Sequence, residues 1–332
     1  MTKSRILYLD IARVIAMLWI VCYWHVKDYV ELGDTHTALT LYGDVFITDI
    51  MLGVFMFLSG FFMSKYSFDD FKKDTKSFYI KRIIRFYFLY AISAIMLFLI
   101  GFNKGIFTLL TTLTVTSTYL LPQPRTLWFL SMLASFYVLT PILLIKGYKS
   151  LIINSLLIFS GGVILQHLLS EGIDTRFFWC FPLYCIGIFV GKKKKMMDIL
   201  TNDIVGILAI VITIIIVIQL QGMVENNSYQ LLYYLMFPFG IVSILYISKC
   251  LSKAPIGNFV EIVAYFSMSA YIFHRVIYSV LKKIIYGIIG YDFSYTFCFL
   301  VFIPICLIGA YLIQYGYDKC VLPKLISNKK DT

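Results

Sequence analysis

The stretch ILAIVITIIIVIQL (207–220) decides the fold, because it runs for 14 residues without one charged side chain. A bilayer-spanning helix needs about 20 mainly apolar residues, whereas the strands of a membrane barrel are short and alternating. Over all 332 residues, 60% are hydrophobic and 14% are charged, against roughly 45–50% and about 25% in soluble domains. The composition excludes a soluble enzyme, a disordered chain and a nucleic-acid-binding domain, and it predicts an all-α, polytopic transmembrane helix bundle.

Outward from this stretch, hydropathy marks about ten spans with short connections. The predicted segments are 6–26, 45–64, 84–102, 126–145, 150–169, 177–191, 203–220, 230–248, 257–280 and 293–317. A further stretch, 105–124, is rich in Thr and ends in Pro, so we predict that it is re-entrant or interfacial. No internal repeat or change of composition divides the chain, which predicts a single membrane domain over residues 1–332.

The basic residues predict the orientation of the bundle. The formal net charge is +11; of 29 Lys and Arg residues, 21 lie on one side of the predicted spans and 7 on the other, with Arg13 inside the first span. Cytoplasmic loops of membrane proteins are enriched in Lys and Arg. Both termini are therefore predicted to be cytoplasmic, and this topology explains most of the positive charge. The predicted partner is membrane lipid and not nucleic acid.

Ionisable residues inside the spans are costly and mark functional sites by default. Asp10 and Arg13 are three residues apart in the first span and share a helix face, so they could serve a site or form an interfacial ion pair. His25 stands at the outer end of that span, and His274, followed by Arg275, lies in the ninth. A neutral imidazole accepts a proton from a hydroxyl near neutral pH, although a lone His at a membrane interface is more often a satisfied polar residue.

Two further groups of residues are candidates. Lys81, Arg82 and Arg85, spaced for one helix face, suit phosphate binding at the start of the third span, or they serve as a topological anchor. Trp128 and Tyr137 in the fourth span contact a substrate or belong to the interfacial aromatic belt. The seven cysteines lie mostly in apolar runs without metal-ligand spacing, which predicts free thiols and no metal site.

Taken in order, these segments resemble acyltransferase family 3, the integral membrane acyltransferases of bacterial surface polysaccharides. The matching pieces are Leu9, Asp10, Arg13, Ala16 and His25 in the first span, VFMFLSGFF (54–62) with Ser59 and Gly60, Phe78, Arg82 and Arg85, LWFL (127–130) with Tyr137 and Pro141, FPLYCIGIFVGK (181–192), and SMSAYIFH (267–274) with Ser267, Ser269, Tyr271 and His274. The resemblance covers about residues 7–275, and the order of the pieces makes it specific.

One departure from the family pattern predicts a backbone irregularity. Members usually have ten residues between the first-span Arg and His, and this chain has eleven between Arg13 and His25. The extra residue would turn His25 by about 100° on a regular helix. If both residues serve one site, we expect either a π-bulge or an early end of the helix, with residues 22–24 deviating.

The resemblance implies an O-acyltransferase, specifically an O-acetyltransferase, of the bacterial inner membrane. It would move an acyl group from cytoplasmic acyl-CoA to a hydroxyl of a surface polysaccharide or its lipid-linked precursor, without a permanently bound cofactor. The expected roles are His25 as base, Arg13 for donor orientation or charge, and His274 in support. Lys81, Arg82, Arg85 and Ser59 are expected to hold the donor, and Asp10, Trp128, Tyr137, Tyr271 and Arg275 to contact substrate. A carboxylate that orients His25 would come first from Asp28, Glu31 or Asp34, the nearest in sequence.

Two other functions remain open. A polysaccharide exporter or flippase would line a conduit with intramembrane Arg and His and carry out no chemistry. The chain could also be a structural partner of the polysaccharide synthesis machinery. Acyl-CoA binding at Arg82 and Arg85 distinguishes the enzyme from the exporter, which has no need of a donor site.

Overall fold

The computed structural model describes residues 6–30, 43–120, 123–145, 147–168, 173–223, 230–289 and 294–323, which form helices and no strand. The α-helices are α1 (Leu7–Leu18), α2 (Asp44–Met63), α3 (Phe68–Tyr79), α4 (Arg85–Leu99), α5 (Ile106–Leu113), α6 (Trp128–Leu143), α7 (Tyr148–Leu168), α8 (Phe177–Lys192), α9 (Lys194–Leu200), α10 (Asp203–Met223), α11 (Gln230–Leu251), α12 (Gly257–Ile289), α13 (Tyr295–Phe297) and α14 (Ile303–Gly316). Segments of π-helix occupy Trp19–Trp24, Ile80–Ile84, Cys298–Phe302 and Tyr317–Val321, and a 3₁₀ turn occupies Val26–Tyr29.

Seven helical segments of the described chain are long and apolar enough to cross a membrane. They correspond to the first, second, fifth and seventh to tenth predicted spans. The other three predicted spans are shorter apolar helices, Phe86–Leu99, Trp128–Leu143 and Phe177–Lys192. The all-helical multi-pass architecture is therefore confirmed, while the count of ten crossings and the cytoplasmic termini stay predictions. Below, "inner end" and "outer end" carry that predicted sense.

Glycines let α2 and α8 pack closely against each other. A Cβ added to Gly60 would lie 1.9 Å from the carbonyl oxygen of Tyr184, and one added to Gly187 would lie 2.1 Å from that of Phe57. Small residues let membrane helices approach closely enough for backbone packing. Helix packing therefore explains the glycine at position 60, independently of any role of Ser59.

Two short helices lie outside the spans. α5 has eight residues, about 12 Å at 1.5 Å per residue, which is too short to cross a bilayer of about 30 Å. A re-entrant or interfacial location of 105–124 stays a prediction. α3, which the hydropathy pattern missed, follows α2 at the inner end and buries Phe71 and Phe78 while exposing most of its other residues.

α12 is the longest helix and organises the site. Its 33 residues extend about 50 Å, so the helix continues nine residues beyond the predicted end of the ninth span at 280. It packs against α1, α4 and α14. Because it runs the full depth of the bundle, positions along α12 give the relative depth of every site described below.

Candidate functional site

The first span leaves α-helical geometry just before His25. Residues Trp19–Trp24 form a π-helix, and the amide of His25 donates to the carbonyl of Ile20, five residues earlier, at 3.0 Å. In an α-helix that amide would bond to Val21. The carbonyl of Val21 instead accepts a hydrogen bond from the hydroxyl of Tyr278 on α12 at 3.2 Å. The predicted π-bulge is confirmed, and it begins three residues earlier than residue 22.

Side chains from α2 hold this π-helix in place. The indole nitrogen of Trp19 donates to the hydroxyl of Thr48 at 2.9 Å, and the hydroxyl of Tyr23 donates to Asp44 at 3.0 Å. Lys27 forms an ion pair with the same carboxylate. With the contact from Tyr278, both neighbouring helices contribute hydrogen bonds, which offset the cost of the irregular backbone.

The bulge brings His25 against His274 of α12. The Nδ1 atom of His25 lies 2.6 Å from Nε2 of His274, and the ring planes are 6° apart with centroids separated by 4.7 Å. His274 is fully buried, while His25 is partly exposed. The two histidines that were singled out separately in the sequence therefore form one unit, although 249 positions separate them.

The hydrogen bonds of His274 assign the protons of both rings. Its Nδ1 lies 2.7 Å from the carbonyl oxygen of Tyr271 and 3.2 Å from that of Ala270. A carbonyl only accepts, so Nδ1 of His274 carries the proton and Nε2 is the acceptor in the neutral ring. His25 then donates from Nδ1, and its Nε2 holds the lone pair. This is the protonation state that a general base needs.

Within the described residues, His274 is thus the hydrogen-bond partner of Nδ1 of His25. Asp28 forms an ion pair with Arg275 instead, while Glu31 and Asp34 lie outside the described residues. Arg275 is 5% exposed, and Tyr29 donates to its backbone carbonyl at 3.2 Å. These contacts fasten the turn after His25 to α12, so the placement of Arg275 fits a positioning role for the histidine pair.

A cavity of about 690 Å³ lies on the inner side of the histidine pair. Of the residues singled out in the sequence, its walls contain Arg13, Ser59, Arg82, Tyr137 and Tyr271. The sequence analysis missed two further polar wall residues on α12 and α14, Glu261 and Gln314. An acidic residue inside the ninth predicted span was the available signal for Glu261.

Arg13 lies far from the histidines along its own helix. Twelve positions separate Arg13 from His25, about 18 Å at 1.5 Å per residue. Its guanidinium donates to Asp10 at 2.8 Å and to the carbonyl of Ala264 at 3.3 Å. The predicted pairing with Asp10 is confirmed. This location favours contact with a remote part of a ligand over contact with atoms that react at His25.

Arg82 lines the cavity near the inner end and donates to the hydroxyl of Tyr66 at 3.1 Å. Partial burial alone would raise the pKa of Tyr66, but the hydrogen bond and charge of Arg82, together with those of Lys65, outweigh it and lower that pKa. The backbones of Lys81 and Arg85 belong to the π-helix before α4 and to the first residue of α4; their side chains are outside the described part of the chain. A three-residue cationic patch therefore stays a prediction, with Arg82 as its located member.

Three aromatic rings separate this cavity from the histidines. Phe55, Phe129 and Tyr271 line it with ring centroids 5.6–6.3 Å apart. The ring of Tyr271 also lies 5.9 Å from that of His274, and its hydroxyl donates to the carbonyl of Thr126 at 3.2 Å. Tyr271 is therefore the residue through which the cavity meets the histidine pair.

Trp128 does not line the cavity. Its ring is 8% exposed and is covered by the guanidinium of Arg176, whose central carbon lies 3.7 Å from the ring centroid. Arg176 also binds Asp174 at 2.9 Å. The sequence analysis singled out Trp128 but not Arg176, because an Arg at the start of a span resembles an ordinary loop residue.

A bundle of apolar helices with a histidine pair beside a partly cationic cavity defines a multi-pass membrane protein with a candidate site inside the bundle. The acyltransferase domain of acyltransferase family 3 matches residues 6–315. The chain therefore belongs to this family, which indicates a membrane acyltransferase. Comparison with curated proteins and with solved structures gave no match.

Proposed function

We propose that the protein is an O-acetyltransferase that uses cytoplasmic acetyl-CoA to modify a hydroxyl of a surface polysaccharide or of its lipid-linked precursor. The observation that carries this proposal is the histidine pair, in which Nε2 of His25 is left as a proton acceptor while Nδ1 is held by His274. Family membership supports the reaction class. The donor and the acceptor are parts of the proposal.

The cavity supports an extended donor that enters from the inner end. Arg82 and Arg13 offer guanidinium groups of the kind that bind phosphates, and the wall continues past Ser59 and Tyr137 to Tyr271. The pantetheine arm of CoA is long and flexible enough to follow such a path. Phosphates held near Arg82 would then leave the thioester close to Tyr271 and the histidine pair.

In the proposed reaction, Nε2 of His25 removes the proton from the acceptor hydroxyl. The oxygen attacks the thioester carbonyl, the new C–O bond forms, the C–S bond breaks, and the CoA sulfur leaves with the proton that His25 gives back. His274 accepts the hydrogen bond from Nδ1 of His25 throughout and stabilises the imidazolium. Base catalysis of this kind contributes about 10²–10⁴-fold to rate.

The test uses purified full-length protein in lipid nanodiscs with acetyl-CoA and a glycan fraction. We expect CoA release and acetyl transfer by the wild type, and about 10²–10⁴-fold less transfer by His25→Ala. His274→Phe removes the acceptor for Nδ1 of His25, so we expect a smaller loss together with a changed pH profile. The exposed His167 on α7 provides the control, since His167→Ala should act as wild type.

Two results would count against the proposal. Near-wild-type transfer by His25→Ala would make His25 a structural residue. Absence of CoA release by the wild type, with glycan still exported from cells, would favour the exporter, which needs no donor.

A further inference from the structure

A second pocket, of about 470 Å³, lies at the outer end of α12. Tyr29, Phe102, Ser279, Lys282, Lys283 and Tyr286 line it. Tyr29 follows His25 by four residues and Ser279 follows His274 by five, so the pocket begins about 6–8 Å outward of the histidine pair. The histidines therefore lie along α12 between this pocket and the larger cavity.

The second pocket collects basic residues on the side of the membrane where they are scarce. Seven Lys and Arg residues fall on the predicted outer side. Lys282 and Lys283 line the pocket, and the guanidinium groups of Arg275 and Arg125 lie 5.3 and 5.9 Å from the ring centroid of Phe102, a wall residue. The positive-inside bias acts against this concentration, so topology does not account for it.

Two of these cations, Lys283 and Arg275, retain hydrogen-bonding capacity. The ammonium of Lys283 donates to the carbonyl of Ile100 at 3.0 Å, and an ammonium has three donors. The guanidinium of Arg275 is buried, and its Nε has no hydrogen-bond partner among the described residues. The carboxylate paired with Arg275 is that of Asp28, which is 59% exposed. The described walls of the pocket contain two ammonium groups and no carboxylate, which favours an anionic ligand.

The surroundings of the pocket are apolar on one side. Leu99, the last residue of α4, and Ile288, two residues after the wall residue Tyr286, are 75% and 77% exposed, as expected of side chains that face lipid. Aromatic walls such as Tyr29 and Tyr286 offer flat surfaces of the kind that pack on sugar rings. A ligand that matches all three features has an anionic group, a sugar and a membrane-embedded tail.

We propose that this pocket binds the phosphate group of a membrane-anchored lipid that carries the glycan acceptor. Binding there would place the sugar within reach of Nε2 of His25, one to two helical turns away. The role of the bound lipid as acyl acceptor rests on the proposed function. Binding of the lipid phosphate does not, so binding and acyl transfer are measured separately.

The probe is farnesyl pyrophosphate, with farnesol as its neutral counterpart, titrated onto the full-length protein in nanodiscs of zwitterionic lipid. We expect the pyrophosphate to bind more tightly than farnesol and to weaken as salt is added. The double variant Lys282→Gln with Lys283→Gln should bind it on the order of tenfold more weakly. Lys195→Gln with Lys253→Gln, two exposed residues at the inner end, loses the same charge and should bind as wild type.

Competition with phosphatidylglycerol identifies the source of the phosphate. Displacement of farnesyl pyrophosphate only at a large excess of phosphatidylglycerol supports the carrier lipid, whereas equal competition would assign the pocket to bulk phospholipid and overturn the proposal. Equal affinity for farnesyl pyrophosphate and farnesol would overturn the proposal as well. This comparison uses the wild-type protein, so it does not depend on whether a variant folds. His25→Ala should bind the probe as wild type does, so a failure of acyl transfer leaves this result standing.

Discussion

Deletion of Cys22 tests the π-helix directly, because the regular and irregular helices give opposite outcomes. The deletion returns the spacing between Arg13 and His25 to the ten residues usual in the family. If Trp19–Trp24 is a π-helix, the loss of one residue relaxes it to an α-helix and leaves His25 on its present face. Cys22 is the best choice since it is partly exposed, whereas Trp19 and Tyr23 bond to α2.

The magnitude follows from helix geometry. On a regular helix, removing one residue would turn His25 by about 100°, which moves a ring about 5.5 Å from the axis sideways by about 8 Å. The 2.6 Å contact with His274 could not survive such a move. We expect the deletion variant to stay within about tenfold of wild-type acetyl transfer, against the loss of about 10²–10⁴-fold for His25→Ala.

The assay is CoA release and acetyl transfer in nanodiscs, with the melting temperature of each variant measured in parallel. Cys22→Ala controls for the lost side chain and should act as wild type. Insertion of one Ala after Cys22 should lose as much activity as His25→Ala, because it turns His25 away. A folded deletion variant as inactive as His25→Ala would refute the π-bulge reasoning.

Two further predictions concern the donor cavity and the helix packing. In a binding titration, Arg82→Leu should weaken acetyl-CoA binding about tenfold to a hundredfold, because a charged hydrogen-bonding group is lost. Arg82→Lys should restore the affinity poorly, and the control Tyr66→Phe should leave it nearly unchanged. Full affinity of the Lys variant would make Arg82 a topological anchor. Gly60→Ala should lower the free energy of unfolding by about 1–3 kcal/mol, because the added Cβ meets the carbonyl of Tyr184. The control Gly222→Ala, whose Cβ meets nothing within 4 Å, should melt at the temperature of the wild type. If Gly60→Ala melts at that temperature too, α2 and α8 can move apart without cost.

The sequence was most informative about features that depend on neighbouring residues. Long apolar runs located the helices, and three-residue spacing paired Asp10 with Arg13. The one extra residue between Arg13 and His25, relative to the family's usual ten, predicted the backbone irregularity to within three residues, because each residue of a helix adds a fixed rotation.

Long-range contacts were not accessible in the same way. Nothing in the pattern of α1 indicates that His274 is the partner of His25, because that contact depends on how α1 and α12 pack. The three candidate carboxylates were chosen by proximity in sequence; Asp28 pairs with Arg275, and the other two stay predictions. Similarly, Trp128 and Arg176 come together only when α6 and α8 are in place.

The hydrogen-bond chain through the histidine pair ends at a peptide carbonyl, that of Tyr271. A carbonyl oxygen is not protonated at ordinary pH, so His274 cannot pass a proton further and no proton relay continues into α12. Any proton taken up at Nε2 of His25 must leave from that same nitrogen. If the proposed reaction holds, turnover is then ordered in time, because the acceptor is deprotonated productively only when a leaving sulfur is already in position to receive the proton.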